Sequence, residues 1–213
     1  MTKYPTPSLF ISFEGMEGAG KSTQMKRLGK ALEKLGLSYI ITKEPGGTPL
    51  GIKLRNMLLH NKEATTHPFS DLCLFTADRL EHINQVIKPA LSEKKIVICD
   101  RFTDSTLAYQ VGGQQLDPKA VESLINLSDI KPDLTFLLDL DPEAGLVRVS
   151  KRGIVDRYEK KGIAFHKRVR AMYHHLAKAE PKRFVTINTQ KSAPDITHQQ
   201  ILKLVLKRLL VEA

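Results

Sequence analysis

Five short apolar runs recur along the chain, and stretches with helical spacing separate them. The runs cover residues 9–14, 38–43, 95–100, 134–140 and 183–188, and they are β-branched and apolar rather than alternating. Strands of this kind are buried on both faces, as in parallel sheets that helices cover on each side. The pattern predicts an α/β fold with a five-stranded parallel sheet flanked by helices and joined by right-handed crossovers.

The first run leads into a glycine-rich loop. Residues 15–22 read Gly-Met-Glu-Gly-Ala-Gly-Lys-Ser and fit the phosphate-binding pattern G-x-x-x-x-G-K-[ST]. A strand, this loop and a helix N-terminus in succession direct backbone N–H groups at one spot, which suits a polyphosphate. Lys21 would reach the β- and γ-phosphates, and the Ser22 hydroxyl would bind Mg²⁺. The loop predicts a P-loop NTPase fold, with a glycine-rich turn that binds nothing as the alternative.

The length of 213 residues suits one α/β domain, spanning residues 1–213. The two cysteines, Cys73 and Cys99, have apolar neighbours, so both are predicted to be buried, and their spacing indicates neither a disulfide framework nor a metal site. The first eight residues do not resemble a signal peptide, and no apolar run is long enough to span a bilayer. We therefore expect a cytoplasmic protein without a membrane partner.

The formal charge of +10 is concentrated in one stretch. Residues 148–183 carry twelve Lys and Arg side chains against three carboxylates, a net charge of +9. Handling of small phosphates explains such a segment near a phosphate loop better than nucleic-acid binding does, although a solvated basic face is the alternative. Within it, residues 150–163 are polar and basic and form a candidate lid, although a plain surface loop fits the composition equally well.

Charged residues follow the third apolar run. Asp100 stands where P-loop enzymes place a carboxylate that holds Mg²⁺ directly or through water. Arg101 comes next and, on adjacent strand positions, the two side chains point to opposite faces. Each therefore needs its own partner. We expect functional roles for both, with structural ion pairing as the alternative.

The second run and the helix after it supply further candidates. Glu44 closes the run with a Pro-Gly-Gly turn, and Arg55 lies one helical segment later. Phe75 and Arg79 are four residues apart and share a helix face, which places an aromatic ring beside a guanidinium. The pair suits stacking on and hydrogen bonding to a nucleobase. A core phenylalanine with a snorkelling arginine is the alternative.

Five blocks of the sequence, from residue 11 to about residue 196, together resemble bacterial thymidylate kinases, which are P-loop nucleoside monophosphate kinases. The blocks are the phosphate loop, Glu44-Pro-Gly-Gly-Thr48, Phe75-Thr-Ala-Asp-Arg79, Asp100-Arg-Phe-Thr-Asp-Ser-Thr-Leu-Ala-Tyr-Gln110 and Arg152-Gly-Ile-Val-Asp-Arg157. The resemblance implies transfer of the γ-phosphoryl group of ATP to thymidine monophosphate, with Mg²⁺. It also implies a homodimer.

The resemblance assigns a set of residues to the thymidine monophosphate site. They are Glu17, Glu44, Arg55, Phe75, Arg79, Arg101, Ser105, Thr106, Tyr109 and Gln110. In the family's pattern, Arg79 reads the thymine edge while Phe75 stacks on the ring, and Thr106 and Gln110 lie near the base. Tyr109 lies where a ribose 2′-hydroxyl would protrude.

The remaining acceptor contacts follow the same resemblance. Glu17 resembles the carboxylate that accepts the deoxyribose 3′-hydroxyl, and Arg55 and Arg101 would hold the acceptor phosphate. The resemblance implies catalytic roles for Lys21 and Asp100 as well, with Ser22 and Asp100 as the metal ligands.

The donor site would comprise the phosphate loop and one arginine near the adenine. Its residues are Gly15, Met16, Glu17, Gly18, Ala19, Gly20, Lys21, Ser22, Thr23 and Arg148. Because position 19 is Ala rather than Arg, the loop resembles the family type that delivers its transition-state arginine from the lid. Arg152 would supply it, with Arg157 assisting.

Two departures and two alternatives accompany the resemblance. The family's Tyr-Gln-Gly-x-Gly-Arg-Gly run reads Tyr-Gln-Val-Gly-Gly-Gln-Gln at residues 109–115, and the lid carries two lysines at residues 160–161. A deoxynucleoside kinase is one alternative, with Glu14 or Glu44 as a general base. A nucleotide-dependent regulatory switch is the other, although the Asn-Lys at residues 61–62 lacks the aspartate that guanine switches use.

Overall fold

The structure, a computed structural model, describes residues 8–60, 67–151 and 156–211. All five predicted strands are present, and each predicted boundary lies within one residue of the observed one. They are β1 Leu9–Glu14, β2 Tyr39–Lys43, β3 Ile96–Asp100, β4 Leu134–Asp139 and β5 Phe184–Asn188. The boundaries agree because long apolar runs bounded by charged and turn residues leave few other registers that keep the apolar side chains buried.

The five strands form one parallel sheet in the order β2-β3-β1-β4-β5. The strands were predicted to be buried on both faces. β1 and β4 are buried throughout, and β3 is buried except at its last residue. The outer strands β2 and β5 are partly exposed, because each has a neighbour on one side only. The predicted α/β fold is confirmed.

Helices connect the strands. They are α1 Lys21–Lys34, α2 Pro49–Arg55, α3 Pro68–His82, α4 Lys88–Ser92, α5 Thr103–Thr106, α6 Pro118–Ile125, α7 Pro142–Ser150, α8 Ile163–Ala179 and α9 Pro194–Val211. Three π-helical stretches extend or join them, at Asn56–His60, Ile83–Ile87 and Leu107–Gly113. Proline begins many of these helices, where its fixed φ is favourable and no N–H is lost from the hydrogen-bond ladder.

Apolar side chains fill both faces of the sheet. On one face, Leu28 of α1 and Val205 of α9 pack with β1, β3 and β4. On the other, Ile83 and Ile87 pack against Phe10 of β1. Helices on both faces leave the carboxyl ends of the strands as the open edge, and this is where ligands bind in such sheets.

The prediction that both cysteines are buried is half right. Cys99 lies on β3 and is buried, but Cys73 lies on α3 and is exposed. Successive helix residues are about 100° apart around the axis, so Leu72 can be buried while Cys73 faces solvent. Among the described residues, no helix combines the length and apolar character needed to cross a membrane.

Candidate active site

A cleft of about 460 Å³ opens at the carboxyl ends of β1, β2 and β3. It brings together most of the predicted site residues, although they come from distant parts of the chain. Those that line it are Glu17, Gly18, Gly20, Lys21, Ser22, Thr23, Glu44, Arg55, Phe75, Arg79, Asp100, Arg101, Ser105, Thr106, Tyr109, Gln110 and Arg148.

Other predicted residues lie behind the lining or outside the described ranges. Met16 and Ala19 are buried in the apolar core beneath the loop, and Gly15 packs against β4. Arg157 is absent from the residues that line the described part of the cleft. Arg152, the predicted transition-state arginine, lies outside the described residues.

Two glycines let the loop pass close to neighbouring backbone. Gly15 has a φ of +128°, and a Cβ atom there would lie 2.4 Å from the carbonyl oxygen of Leu138. Gly18 has a φ of +75°, and its Cβ would lie 2.8 Å from the Gly145 carbonyl oxygen. A side chain at either position would push the loop away from β4 and α7. The glycine pattern therefore seats the loop against the sheet as well as shaping it.

The charged groups of the loop meet the end of β3. Lys21 Nζ donates to the carbonyl oxygens of Gly15 and Met16, at 3.1 and 3.2 Å, and lies 4.0 Å from Asp100 Oδ1. Ser22 Oγ donates to Asp100 Oδ2 at 3.4 Å. Burial, followed by the charge of Arg101, lowers the pKa of Lys21. The ammonium group is thus held at the loop where a phosphate would need it.

The same corner fits a magnesium ion. Asp100 Oδ1 is buried and has no hydrogen-bond partner among the described residues, and the Ser22 hydroxyl lies beside the carboxylate. Carboxylate and hydroxyl oxygens are hard donors of the kind that Mg²⁺ takes, with water and phosphate oxygens completing its shell.

Arg101 is held by four acceptors. Nη1 donates to Ser105 Oγ and Tyr173 Oη, both at 3.1 Å. Nη2 donates to Glu17 Oε1 at 2.7 Å and to Tyr109 Oη at 3.0 Å. The residue also has a φ of +71°, a left-handed conformation that a non-glycine residue keeps only when its surroundings enforce it. Its orientation in the cleft is therefore strongly determined.

Two glutamates flank this arginine and differ in their pKa. Burial alone would raise the pKa of Glu17, but the charges of Arg101 and Lys21 outweigh it and hold the pKa below its usual range. Glu17 Oε2 is buried without a hydrogen-bond partner among the described residues, so it is an available acceptor at the cleft. For Glu14, burial and then the charge of Asp104 raise the pKa to about 7.

The predicted base pocket contains a fixed arginine. Arg79 Nε donates to Glu44 Oε2 at 2.8 Å, and Nη2 donates to Thr106 Oγ1 at 2.8 Å. His82 Nδ1 lies 3.0 Å from the other oxygen of Glu44. Phe75 is partly exposed in the same wall. A planar ligand beside Phe75 would meet a guanidinium whose orientation the protein has already set.

Two outlying arginines bracket the cleft. Arg55 Nη1 donates to the Pro45 carbonyl oxygen at 2.9 Å, and burial lowers the pKa of its guanidinium. Arg148 Nη1 donates to the Gly18 carbonyl oxygen at 3.1 Å, at the exposed edge of the phosphate loop. Arg55 thus lies on the side of the base pocket and Arg148 on the side of the loop.

Several lining residues were missed from the sequence. They are Lys43, Pro45, Leu59, Phe102, Asp156, Tyr158 and Glu159. A usable signal existed for Tyr158, since it is the only aromatic residue between Phe136 and Phe165. It stands in a polar stretch, where a buried ring is unexpected.

Tyr158 and Arg157 join the predicted lid to the rest of the protein. Tyr158 Oη donates to Asp71 Oδ2 at 3.1 Å and accepts from Gln110 Nε2 at 3.3 Å. The Arg157 guanidinium pairs with the same carboxylate, and the backbone N–H of Arg157 donates to the Leu59 carbonyl oxygen at 3.1 Å. The later part of the predicted lid is therefore packed against α3 and the base pocket.

Comparisons with known proteins agree with this arrangement. A sequence model of the thymidylate kinase family matches residues 13–201. A thymidylate kinase of Solidesulfovibrio magneticus is 44% identical over 210 residues, covering 94% of this chain and 100% of the relative. One of Dehalococcoides mccartyi is 46% identical over 192 residues, covering 89% of this chain and 92% of the relative.

A solved structure gives the same result. The crystal structure of thymidylate kinase from Ehrlichia chaffeensis is similar to this one with a TM-score of 0.77 and 35% sequence identity. The match covers 93% of this chain and 99% of that one. The similarity therefore extends over the whole arrangement of sheet, helices and cleft rather than over the phosphate loop alone.

Proposed function

Since the chain belongs to the thymidylate kinase family, we propose that it transfers the γ-phosphoryl group of ATP to thymidine monophosphate, giving the diphosphate in a Mg²⁺-dependent reaction. One observation carries the proposal. A single cleft joins a phosphate loop containing Lys21 to a fixed Arg101 and to a pocket walled by Phe75 and Arg79. These are the parts needed to bind a triphosphate and a pyrimidine monophosphate side by side.

The reaction needs no general base. The attacking atom is a phosphate oxygen that is already ionised at neutral pH, so catalysis reduces to alignment and charge neutralisation. Lys21 would neutralise charge on the donor, and Arg101 and Arg55 would hold the acceptor phosphate. Ser22 and Asp100 would hold Mg²⁺, which when bound neutralises charge on the β- and γ-phosphates.

The donor side follows the phosphate loop. Backbone N–H groups of residues 15–23 would surround the β-phosphate, with Arg148 near the adenine. We assign the transition-state arginine to Arg152 because Ala19 leaves the loop without one of its own. The assisting role of Arg157 stays a prediction, and its ion pair with Asp71 offers a structural role in addition.

The acceptor side would read thymine and deoxyribose. Phe75 stacks on the ring and Arg79 donates to the O4 carbonyl, with Thr106 and Gln110 beside the base. Glu44 and Thr106 support this assignment, because they hold two donor nitrogens of the guanidinium in place.

The sugar and its phosphate would be recognised next to Arg101. Tyr109 would crowd a 2′-hydroxyl. Glu17 Oε2 has no hydrogen-bond partner in the described ranges, which supports its assignment to the 3′-hydroxyl. Ser105 lines the cleft and bonds to Arg101, so it would contribute to the phosphate site.

The two alternatives have less support. A deoxynucleoside kinase needs a free carboxylate at the acceptor hydroxyl. Glu14 is fully buried and lies behind the described lining. Glu44 lines the cleft but is engaged by Arg79 and His82. A regulatory switch that reads guanine needs an aspartate after Asn-Lys, which the sequence lacks at residues 61–62. Those two residues lie outside the described ranges.

The wider assignments belong to the same proposal. We take residues 1–213 as one kinase domain, with a lid at about residues 150–163, acting in the cytoplasm without a nucleic-acid or membrane partner. A homodimer is proposed with it. The exposed apolar side chains Leu50, Ile52 and Met57 on and after α2 support an interface there, because each is more than two-fifths exposed.

A panel of acceptors tests the function. ATP consumption would be measured with thymidine, deoxyuridine, cytidine and adenosine monophosphates, with thymidine itself and with no acceptor. A cytosine amino group would face the Arg79 donor, so cytidine and purine nucleotides should be at least about a thousandfold less efficient. Deoxyuridine monophosphate lacks one methyl group and should remain detectable, since a methyl contact is worth about 1 to 3 kcal/mol.

The possible results separate the alternatives. Equal efficiency with cytidine or adenosine monophosphate would leave only a general nucleotide kinase. Phosphorylation of thymidine in place of its monophosphate would establish the nucleoside kinase, and fast hydrolysis without any acceptor would favour the switch.

A further inference from the structure

At the inner wall of the cleft, two hydroxyl groups lie between the Arg101 guanidinium and the buried carboxyl group of Glu14, and one of them belongs to Ser105, which lines the cleft. Arg101 Nη1 donates to Ser105 Oγ and to Tyr173 Oη, and both hydroxyls donate onward to Glu14 Oε2, at 2.5 and 3.0 Å. The two hydroxyl oxygens are 2.8 Å apart. Each has one proton, and directing it toward Glu14 leaves its lone pairs for the arginine. Hydrogen-bond donation therefore runs from Arg101 through the hydroxyls to Glu14.

The hydrogen bonds that lead to Arg101 explain why position 14 carries a carboxyl group. Its side chain is completely buried at the end of β1 and does not line the described cleft. The backbone N–H of Phe102 donates to its other oxygen at 2.8 Å. Burying a carboxyl group costs free energy unless its partners compensate, and an apolar residue would fill a site packed between strand and helix more cheaply.

We propose that Glu14 is a positioning residue, which holds the Arg101 guanidinium for the acceptor phosphate through the hydroxyls of Ser105 and Tyr173. The inference rests on the proposed function, in which Arg101 binds that phosphate. Glu17 and Tyr109 hold the other terminal nitrogen, so the guanidinium is supported from two sides. Glu14 supports the nitrogen that bonds to Ser105 and Tyr173, and its own side chain does not line the described cleft.

A glutamine cannot replace this carboxylate without conflict. In one orientation the amide oxygen accepts from the Phe102 N–H, and the NH₂ group then faces the hydroxyls of Ser105 and Tyr173. Those hydroxyls can no longer donate to position 14, so their protons turn toward the Arg101 guanidinium, which is itself a hydrogen-bond donor. If the amide is reversed, its NH₂ group faces the Phe102 N–H. Either orientation places donor against donor. Glu14→Gln should therefore disturb Arg101 while changing the side-chain volume very little.

A double-mutant cycle tests the relay. Calorimetric titration with thymidine monophosphate at about pH 8, above the raised pKa of Glu14 so that its carboxyl group is ionised, would compare wild type, Glu14→Gln, Arg101→Ala and the double variant. We expect Glu14→Gln to weaken binding about tenfold in the wild-type background, the loss of one charge-assisted hydrogen bond, and less than twofold when Arg101 is absent. In steady-state assays its KM for the acceptor should rise while its KM for ATP stays within about twofold, as expected for a mutation that affects one substrate only.

A second variant covers the case in which Glu14→Gln does not fold. Tyr173→Phe removes one bridging hydroxyl and keeps the ring, and it should weaken acceptor binding about threefold, again only while Arg101 is present. Tyr39→Phe on β2, outside the cleft lining, is the matched control and should change nothing.

Three results would overturn parts of the inference separately. Equal losses with and without Arg101 would make Glu14 and Tyr173 purely structural. An equal rise in KM for both substrates would mean a general loosening of the site. Failure of the wild-type protein to bind thymidine monophosphate would overturn the proposed function and, with it, the purpose assigned to the relay.

Discussion

The proposed donor side of the cleft is built mainly from one contiguous stretch of chain, with Arg148 and Asp100 added from elsewhere, whereas the proposed acceptor side is assembled from side chains on separate elements. Residues 15–23 supply the donor side, mainly through backbone groups and glycines. On the acceptor side, Arg79 and its partner Glu44 are 35 residues apart, and Arg101 and Glu17 are 84 residues apart.

The difference has consequences for how each side responds to change. A backbone-built site depends on the conformation of a few residues and fails when that conformation is blocked. A side-chain network depends on every member, because removing one leaves the others buried and unpaired. The donor side should therefore be sensitive at its glycines and Lys21, and the acceptor side at its ion pairs.

Removal of the one cationic side chain of the phosphate loop, residues 15–23, should have the largest effect. We expect Lys21→Ala to lower turnover about a hundredfold to a thousandfold, as when one preorganised charge or donor is removed from a transition state. Within the described part of the chain, Lys21 Nζ bonds to two nearby loop carbonyl oxygens and lies 4.0 Å from Asp100 Oδ1, so folding should be retained. Lys30→Ala, exposed on the same helix, is the control. Turnover within about threefold of wild type would contradict the assignment of Lys21.

Two buried carboxyls whose pKa values are shifted in opposite directions should respond differently to pH. Beside Glu44, burial and then the charge of that glutamate raise the pKa of Asp78 to about 6. At the end of β4, burial opposes the lowering of the Asp139 pKa, but hydrogen bonds from Arg170 outweigh it. Between about pH 4 and pH 6 the unfolded chain has released the Asp78 proton while the folded protein keeps it. Asp78 therefore lowers the stability of the wild type as pH rises.

Urea unfolding at pH 4 and pH 7 measures this contrast. Relative to wild type, Asp78→Asn should gain on the order of 3 kcal/mol of unfolding free energy over that range, at about 1.4 kcal/mol for each unit of pKa shift. Asp139→Asn should instead follow the wild type closely over that range, because the contribution of the ionised Asp139 is complete above its ordinary pKa of 3.8 and is lost only at lower pH, as pH falls through the lowered pKa. A gain in Asp139→Asn as large as the gain in Asp78→Asn would remove the distinction.

Two glycines of the donor loop should differ in their tolerance of a methyl group. Gly15→Ala combines a positive φ with a contact of 2.4 Å to the Leu138 carbonyl oxygen, and should destabilise by about 2 to 3 kcal/mol. Gly20→Ala has a φ of +94° but no atom within 4 Å of the new Cβ, so only backbone strain of about 1 kcal/mol remains. Thermal unfolding measures both, and equal losses would mean that contact with β4 is unimportant.

The smallest effect is expected at Arg157, which the sequence places with the catalytic arginines. If it mainly holds Asp71, Arg157→Ala should lower turnover only about fivefold, the loss of one hydrogen bond of about 1 kcal/mol. Asp71→Asn should have a similar effect, and the exposed Lys160→Ala should have none. A loss of about a thousandfold would instead make Arg157 an arginine that acts on the transition state.

The phosphate loop was easier to predict from the sequence than the side-chain network on the acceptor side. The strands and the phosphate loop were located from short stretches, because apolar runs and glycine spacing act over a few residues. Local patterns indicated some of the acceptor residues, such as Phe75 and Arg79, the family resemblance supplied the others, and all of them line one cleft. Their partners were not predicted. Nothing near Glu14 in the sequence indicates Tyr173, which is 159 residues away.

Two positions show what local patterns leave out. Cys73 was predicted to be buried yet faces solvent, because burial on a helix depends on angle rather than on adjacent residues. The fold pairs Arg157 with Asp71 on α3, a contact that its own block of sequence does not indicate, while the assisting role assigned to Arg157 stays a prediction.

By itself, the sequence determined the order of strands and helices, the phosphate loop and the family, since these depend on short-range periodicity and on motifs of fixed spacing. Only the tertiary structure decided which charges are paired. The raised pKa of Glu14, the four acceptors around Arg101 and the oxygen of Glu17 that has no partner among the residues described all arise where β1, β3 and α8 converge. Burial and long-range hydrogen bonds set these properties, and they exist only once distant residues have been brought into contact.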